Sequence, residues 1–197
     1  MKTRKPISTI SYNTPGFLEC KLEELRRAKI ISVWFFIIHQ PEEDEKKEHI
    51  HLYIEPSKTI QTDDIKEELI EFDATSPSKP RKCLSFRSSN FADWYLYSIH
   101  NKDYLLKKGQ KRRYSYLPEE IICSDSDELE FLISQIDMTE YSAFARLINA
   151  FNEGITFDEY FRRGSVPIQQ IRQYMQAWEL LQTQGYVDRG FNGKTHE

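Results

Sequence analysis

Cysteine is scarce and scattered: Cys20, Cys83 and Cys123 form no CxxC pair. Three such thiols supply neither a disulfide framework nor a zinc knuckle, and they read as reduced filler. Glycine is missing from the whole stretch between Gly16 and Gly109, which argues against a Gly-rich β-barrel such as a cupin. No GxxxxGK[ST] sequence occurs anywhere, so an ATPase motor is not expected. The longest apolar run, Ile30 to Ile38, is too short to span a bilayer. The basic start, Met1 to Pro6, is followed by Ser, Thr and Asn instead of an apolar signal core, so a cytoplasmic protein with no membrane association is expected. An excess of positive charge is also lacking. Lys and Arg number 27 against 31 Asp and Glu, for a net charge of −4, which by itself lowers the expectation of nucleic-acid binding.

What is present is more informative. The 197 residues suffice for one ordinary domain and a small appendage. Basic residues concentrate in two clusters, Lys79, Arg81, Lys82 and Arg87, then Lys102, Lys107, Lys108, Lys111, Arg112 and Arg113. Acidic residues gather elsewhere, at Glu42 to Glu48 and from Glu119 to Glu140. A locally basic half can hold a phosphate backbone despite a negative total.

Hydrophobic periodicity predicts a strand over Ile7–Tyr12 and a helix over Phe17–Ala28, with Leu18, Leu22 and Leu25 at helical spacing. A central strand follows over Ile30–His39, and an alternating antiparallel neighbour over His49–Glu55. Next come a helix over Thr62–Phe72 with Ile65, Leu69 and Phe72 on one face, a strand over Lys82–Arg87, and an aromatic helix over Phe91–His100. The order β-α-β-β-α-β-α predicts an α+β sandwich, two helices packed on one face of an antiparallel sheet. No strand is expected after Pro118. Helices are predicted over Ser142–Glu153, Thr156–Arg163 and Pro167–Gln184, the last with Ile168, Ile171, Tyr174, Met175 and Trp178 on its stripe. The expected organisation is an α+β domain over 1–118, an acidic linker or helix over 119–140, and an all-helical region over 141–197.

Residues two apart in a strand point to one face, about 7 Å apart along the chain. His49 and His51 can therefore reach one ion together, and His39, closing the preceding strand, lies near them if the two strands pair antiparallel. Glu42 can bend back with a carboxylate, leaving a coordination position for water or a phosphate oxygen. In the later helix Tyr95 and Tyr97 lie about 200° apart, so one of them can face such a site. A phenol becomes a useful nucleophile only with positive charge or a base nearby.

This combination resembles the HUH endonuclease superfamily. It comprises a strand ending in a His with acidic residues beyond it, a His-hydrophobic-His strand, and a Tyr-Leu-Tyr helix before His100. Within the superfamily it is similar to small rolling-circle plasmid replication initiators of the RepB type, over about Ile7 to Tyr116. The resemblance implies an HUH, RRM-like βαββαβ domain, metal ligation by His39, His49, His51 and an acidic fourth ligand, and attack by Tyr97. The family's His-x-x-Asp reads His39-Gln-Pro-Glu42 here, so Glu42, Glu43 or Asp44 can fill the fourth place. Mn²⁺ or Mg²⁺ is the implied cofactor. Single-stranded and duplex origin DNA, a host helicase and a host polymerase are the implied partners. Lys82, Arg87, Lys102, Lys107, Lys108, Lys111, Arg112 and Arg113 are the expected DNA contacts, with bases stacking on Tyr104, Tyr114 and Tyr116 in a basic loop from Lys102 to Arg113.

Three other readings stay open. A transposase or relaxase of the same superfamily shares the chemistry, with Tyr12 as a second candidate nucleophile. A non-catalytic RRM-like module would need neither a metal nor Tyr97. His49-x-His51-xxx-Glu55 also fits the core of a cupin metal motif, against which the missing glycines count. The C-terminal helices can oligomerise the protein or form a helix-turn-helix.

Overall fold

The computed structural model describes residues 1–40, 47–72, 78–110, 114–163, 166 and 168–184. The elements run β1 (Lys2–Thr3), β2 (Ile7–Ser11), α1 (Pro15–Arg27), β3 (Ile31–His39), β4 (His49–Pro56), β5 (Ile60–Gln61), α2 (Thr62–Glu68), β6 (Arg87–Ser88) and α3 (Phe91–Ser98). They continue with α4 (Lys102–Lys107), β7 (Ile122–Cys123), α5 (Ser126–Ser134), α6 (Thr139–Asn152), α7 (Phe157–Arg162) and α8 (Ile171–Gln184). Short 3₁₀ turns at Pro118–Glu120 and Ile168–Gln170 lead into β7 and α8. The chain divides into two compact units: Met1–Ser98 with Leu117–Gln135, and Ile99–Tyr116 with Ile136–Glu197. Among the described residues no helix is long and apolar enough to cross a membrane.

The first unit is α+β. Its five-stranded sheet has the order β6-β2-β4-β3-β7, antiparallel at every pairing, and β1 and β5 form a separate pair. Helix α1 opens at Thr14-Pro15, where proline's missing N–H is no loss, and buries Leu18, Leu22 and Leu25. These pack with Ile65 and Leu69 against Trp34, Phe36, Ile50, Leu52 and Ile54, so α1 and α2 share one face of the sheet. The pleat sends Phe35, Ile37 and His39 of β3, and His49, His51 and Tyr53 of β4, to the other face. There Phe91 and Trp94 of α3 close on Phe35 and Tyr53 at ring separations of 5.3 to 6.1 Å. The near-continuous apolar run of β3 follows from this double coverage.

Several expectations need correction. The strand expected over Lys82–Arg87 shrinks to β6. The preceding segment meets β2 at one bridge, Cys83 opposite Ser11, with Leu84 N–H donating to the Ile10 carbonyl and Tyr12 N–H to the Lys82 carbonyl, while Leu84 is exposed. Helix α2 stops at Glu68, which leaves Phe72 70 % exposed instead of on the buried stripe. A strand does follow Pro118: β7 pairs with the centre of β3, Cys123 opposite Phe35 and Ile122 opposite Phe36. Two residues carry too little periodicity to announce it.

In the second unit, the basic loop expected from Lys102 is a helix at its start. The Asn101 side chain accepts from the Asp103 and Tyr104 amides, capping α4, and Leu105 and Leu106 are fully buried. Leu106 joins Phe144, Leu147 and Ile148 of α6, Tyr160 of α7, and Tyr174, Ala177, Trp178 and Leu181 of α8 in one core. Met175, expected on the α8 stripe, points outward; Ala177 and Leu181 take the inner positions.

Candidate metal centre

Three histidines converge where β3 ends and β4 begins. The antiparallel register sets His39 directly opposite His49, and Ile37 opposite His51. One candidate ligand atom from each of the three imidazoles lies within 4.8 Å of the others. The His49 and His51 Nε2 atoms are 3.2 Å apart, and the His39 ring lies 4.2 Å from that of His51. His39 and His51 are 2 % and 5 % exposed, whereas His49 is half-buried.

Backbone acceptors orient two of these rings. The Ser98 carbonyl, last in α3, accepts from His39 Nε2 at 2.7 Å, and the Lys47 carbonyl accepts from His49 Nδ1 at 3.0 Å. With Nδ1 engaged by the Lys47 carbonyl, Nε2 is the His49 ring nitrogen that faces His51. At metal–nitrogen distances of about 2.0–2.1 Å, neighbouring donors stand roughly 3–3.5 Å apart. The 3.2 Å separation of His49 and His51 fits that edge. The three histidines can thus hold a metal ion, and the donor set suits a borderline transition metal. Glu42, Glu43 and Asp44 lie outside the described residues.

Helix α3 carries the two tyrosines to different surroundings. Tyr95 is buried, stacked on Phe91 at 5.6 Å, and burial together with the Glu119 carboxylate raises its phenol above the ordinary value. Tyr97 is half-buried, its ring 5.3 Å from that of His51. Two residues beyond His51 on the same sheet face, Tyr53 donates to Glu55 at 3.0 Å; burial and that carboxylate raise its phenol strongly. Sequence reasoning missed the Ser98 and Lys47 carbonyls, since any residue type supplies that acceptor.

The expected DNA contacts divide. Lys82 and Arg87 are exposed in the first unit, Arg87 on the edge strand β6. Lys102, Lys107 and Lys108 belong to α4 and its end in the second unit; Lys107 lies over the Tyr141 ring at 4.8 Å and Lys108 over Tyr104 at 5.1 Å. Lys111, Arg112 and Arg113 lie outside the described residues. Of the tyrosines expected to stack on bases, Tyr104 and Tyr116 are buried and packed on Tyr141 and His100; Tyr114 is half-buried. An apolar core claims those two rings. His100 itself adopts a positive φ of 52° and donates from Nδ1 to the Tyr114 carbonyl at 2.6 Å. That bond ties the two ends of the 100–114 segment together.

Comparison with family models and with curated proteins finds no match to this chain.

Proposed function

We propose that the chain is a rolling-circle replication initiator with an HUH, RRM-like catalytic unit, nicking single-stranded origin DNA through Tyr97. The observation that carries this reading is the meeting of three histidine donors with one half-buried tyrosine, Tyr97, while its neighbour Tyr95 is committed to the core. A divalent cation, Mn²⁺ or Mg²⁺, held by His39, His49, His51 and an acidic fourth ligand from Glu42, Glu43 or Asp44, would supply positive charge against the scissile phosphate.

In the proposed step the Tyr97 hydroxyl loses its proton and its oxygen bonds to phosphorus. The bond from phosphorus to the 3′ oxygen breaks, and that oxygen takes up a proton. One phosphoester is exchanged for another, leaving a 5′-phosphotyrosine and a free 3′-hydroxyl that a host polymerase can extend. Because no bond energy is lost to hydrolysis, the strand can be rejoined later. Lys82 and Arg87, exposed basic side chains of the same unit, are placed on a strand's phosphates. Unwinding is assigned in this reading to a host helicase in the cytoplasm. A transposase or relaxase would use the same step on a different DNA end.

Incubating the protein with labelled random-sequence single-stranded DNA and Mn²⁺, followed by a denaturing gel, tests the reading. A covalent protein–DNA band is expected, lost in Tyr97→Phe and on chelation but retained in Tyr95→Phe. A band that survives in Tyr97→Phe overturns the nucleophile. No band with any divalent metal favours the non-catalytic module.

A further inference from the structure

Between Tyr160 and Trp178 the chain contains Arg162, Arg163 and Arg172, four glutamines at 169, 170, 173 and 176, and no Asp or Glu. In a protein with more acidic than basic residues, this is a distinct local composition. The structure turns it into a surface. Helix α7 is only six residues, too short to hold itself, and it starts sharply at a capping box in which Thr156 and Glu159 satisfy each other's amides. It is pinned from inside by buried Tyr160 and by Phe157 against Trp178 at 5.6 Å. Val166, in the connection to α8, is buried with them.

Helix α8 spends its inner stripe on Tyr174, Ala177, Trp178 and Leu181, with Tyr174 stacked on Phe144 of α6 at 4.8 Å. Its outer stripe is Arg172, Met175, Gln176 and Glu179, preceded by exposed Gln169 and Gln170 in the lead-in turn. Gln173 is already engaged, donating to the Lys107 carbonyl at 2.8 Å. Three consecutive helices, a short middle one and a long third whose outer face is polar, match the layout in which a third helix enters the DNA major groove. The side chains suit that role. Arginine pairs with guanine edges, glutamine both donates to and accepts from adenine, and a methionine methyl can touch thymine. Glu179, a turn further along, can only accept, from the amino group of cytosine or of adenine.

We infer that α8 of the second unit is a recognition helix for duplex DNA, reading bases through Gln169, Arg172 and Gln176, with Arg162 and Arg163 on the flanking phosphates. A protein partner fits this face less well, since among the described residues Met175 on α8 and Phe161 beside the α7 arginines are its exposed large apolar side chains, set among arginines and glutamines. Lys108, beside Gln176 in the groove also lined by Gly109, Glu179, Leu180 and Thr183, adds a further cation for the backbone. This site requires neither a metal nor Tyr97, so it stands or falls apart from the nicking reaction.

The test uses the full chain in EDTA, with a pool of random-sequence duplexes carried through rounds of binding and sequencing. A recurrent sequence is expected to emerge. Binding to the selected duplex should weaken at least about tenfold in Arg172→Ala and in Gln176→Ala. The Arg162→Ala, Arg163→Ala pair should lower the salt slope by about two without changing the selected sequence. These side chains are exposed, and unchanged melting by circular dichroism verifies that the variants fold. No enriched sequence, or affinity unchanged in both Arg172→Ala and Gln176→Ala, overturns the inference. So does a change of oligomeric state in sedimentation with duplex affinity intact, which assigns the face to self-association.

Discussion

Tyr95 and Tyr97 show how two residues of one kind acquire different fates within a single helical turn. One is spent on packing with Phe91; the other stands beside His51. The imidazoles separate in the same way, because His39 and His49 are each tied through one ring nitrogen to a backbone carbonyl. Removing His51 or His49 is expected to lower Mn²⁺ affinity at least tenfold by calorimetry, since two remaining imidazoles hold a divalent ion weakly. Melting temperature should fall little for half-buried His49. Equal Mn²⁺ binding by wild type and both variants would sink the metal site.

A pH dependence sits in α1. Hydrogen bonds from Arg26, and then from the Trp34 indole N–H at 3.0 Å, hold the Glu23 carboxyl below the usual carboxylate range. A folded-state value below the unfolded one means the stabilisation is present above the ordinary carboxylate pKa and is lost as pH falls through the depressed value. Melting temperature should therefore drop on acidification below about pH 4.5 less steeply in Glu23→Gln than in wild type. Trp34 fluorescence reports the same bond.

The elements were legible in proportion to their length. The nine residues of β3 and the eight of β4 carry clear patterns, and the His39–His49 pairing follows from their adjacency. The cap that makes α4 a helix was visible as Asn101 followed by Asp103 and two leucines, but the surrounding lysines suggested a loop. Asn101→Ala should destabilise by about 1 kcal/mol in urea, through two lost acceptor contacts. An unchanged midpoint would show that the cap is idle. Strand β7 was illegible because its signal lies in its partner: the edge of β3 needs a strand, and residues 122 and 123 are brought to it from a distance in sequence.

At the scale of the whole chain, the two units interleave in sequence, with crossings after residues 98, 116 and 135. A division at 118 looks natural from composition, yet it removes β7 and α5 from the first unit. A chain truncated at 118 should lose hydrogen-exchange protection along the β3 edge, where the Trp34 amide donates to Ser124 Oγ at 3.0 Å. One ending at 135 should retain it. Equal protection in the two would show that β7 contributes nothing to the sheet.

Local order alone determined which strands and helices would form, and period-two alternation made His49 and His51 neighbours on a sheet face. Only tertiary packing decided that Tyr97 and not Tyr95 meets them, that Ser98 holds His39, and that two aromatic rings of the basic segment are buried. The reason is physical: alternation and helical pitch are properties of a few consecutive residues, whereas the partner of a buried ring or an open strand edge is whichever distant segment fills it.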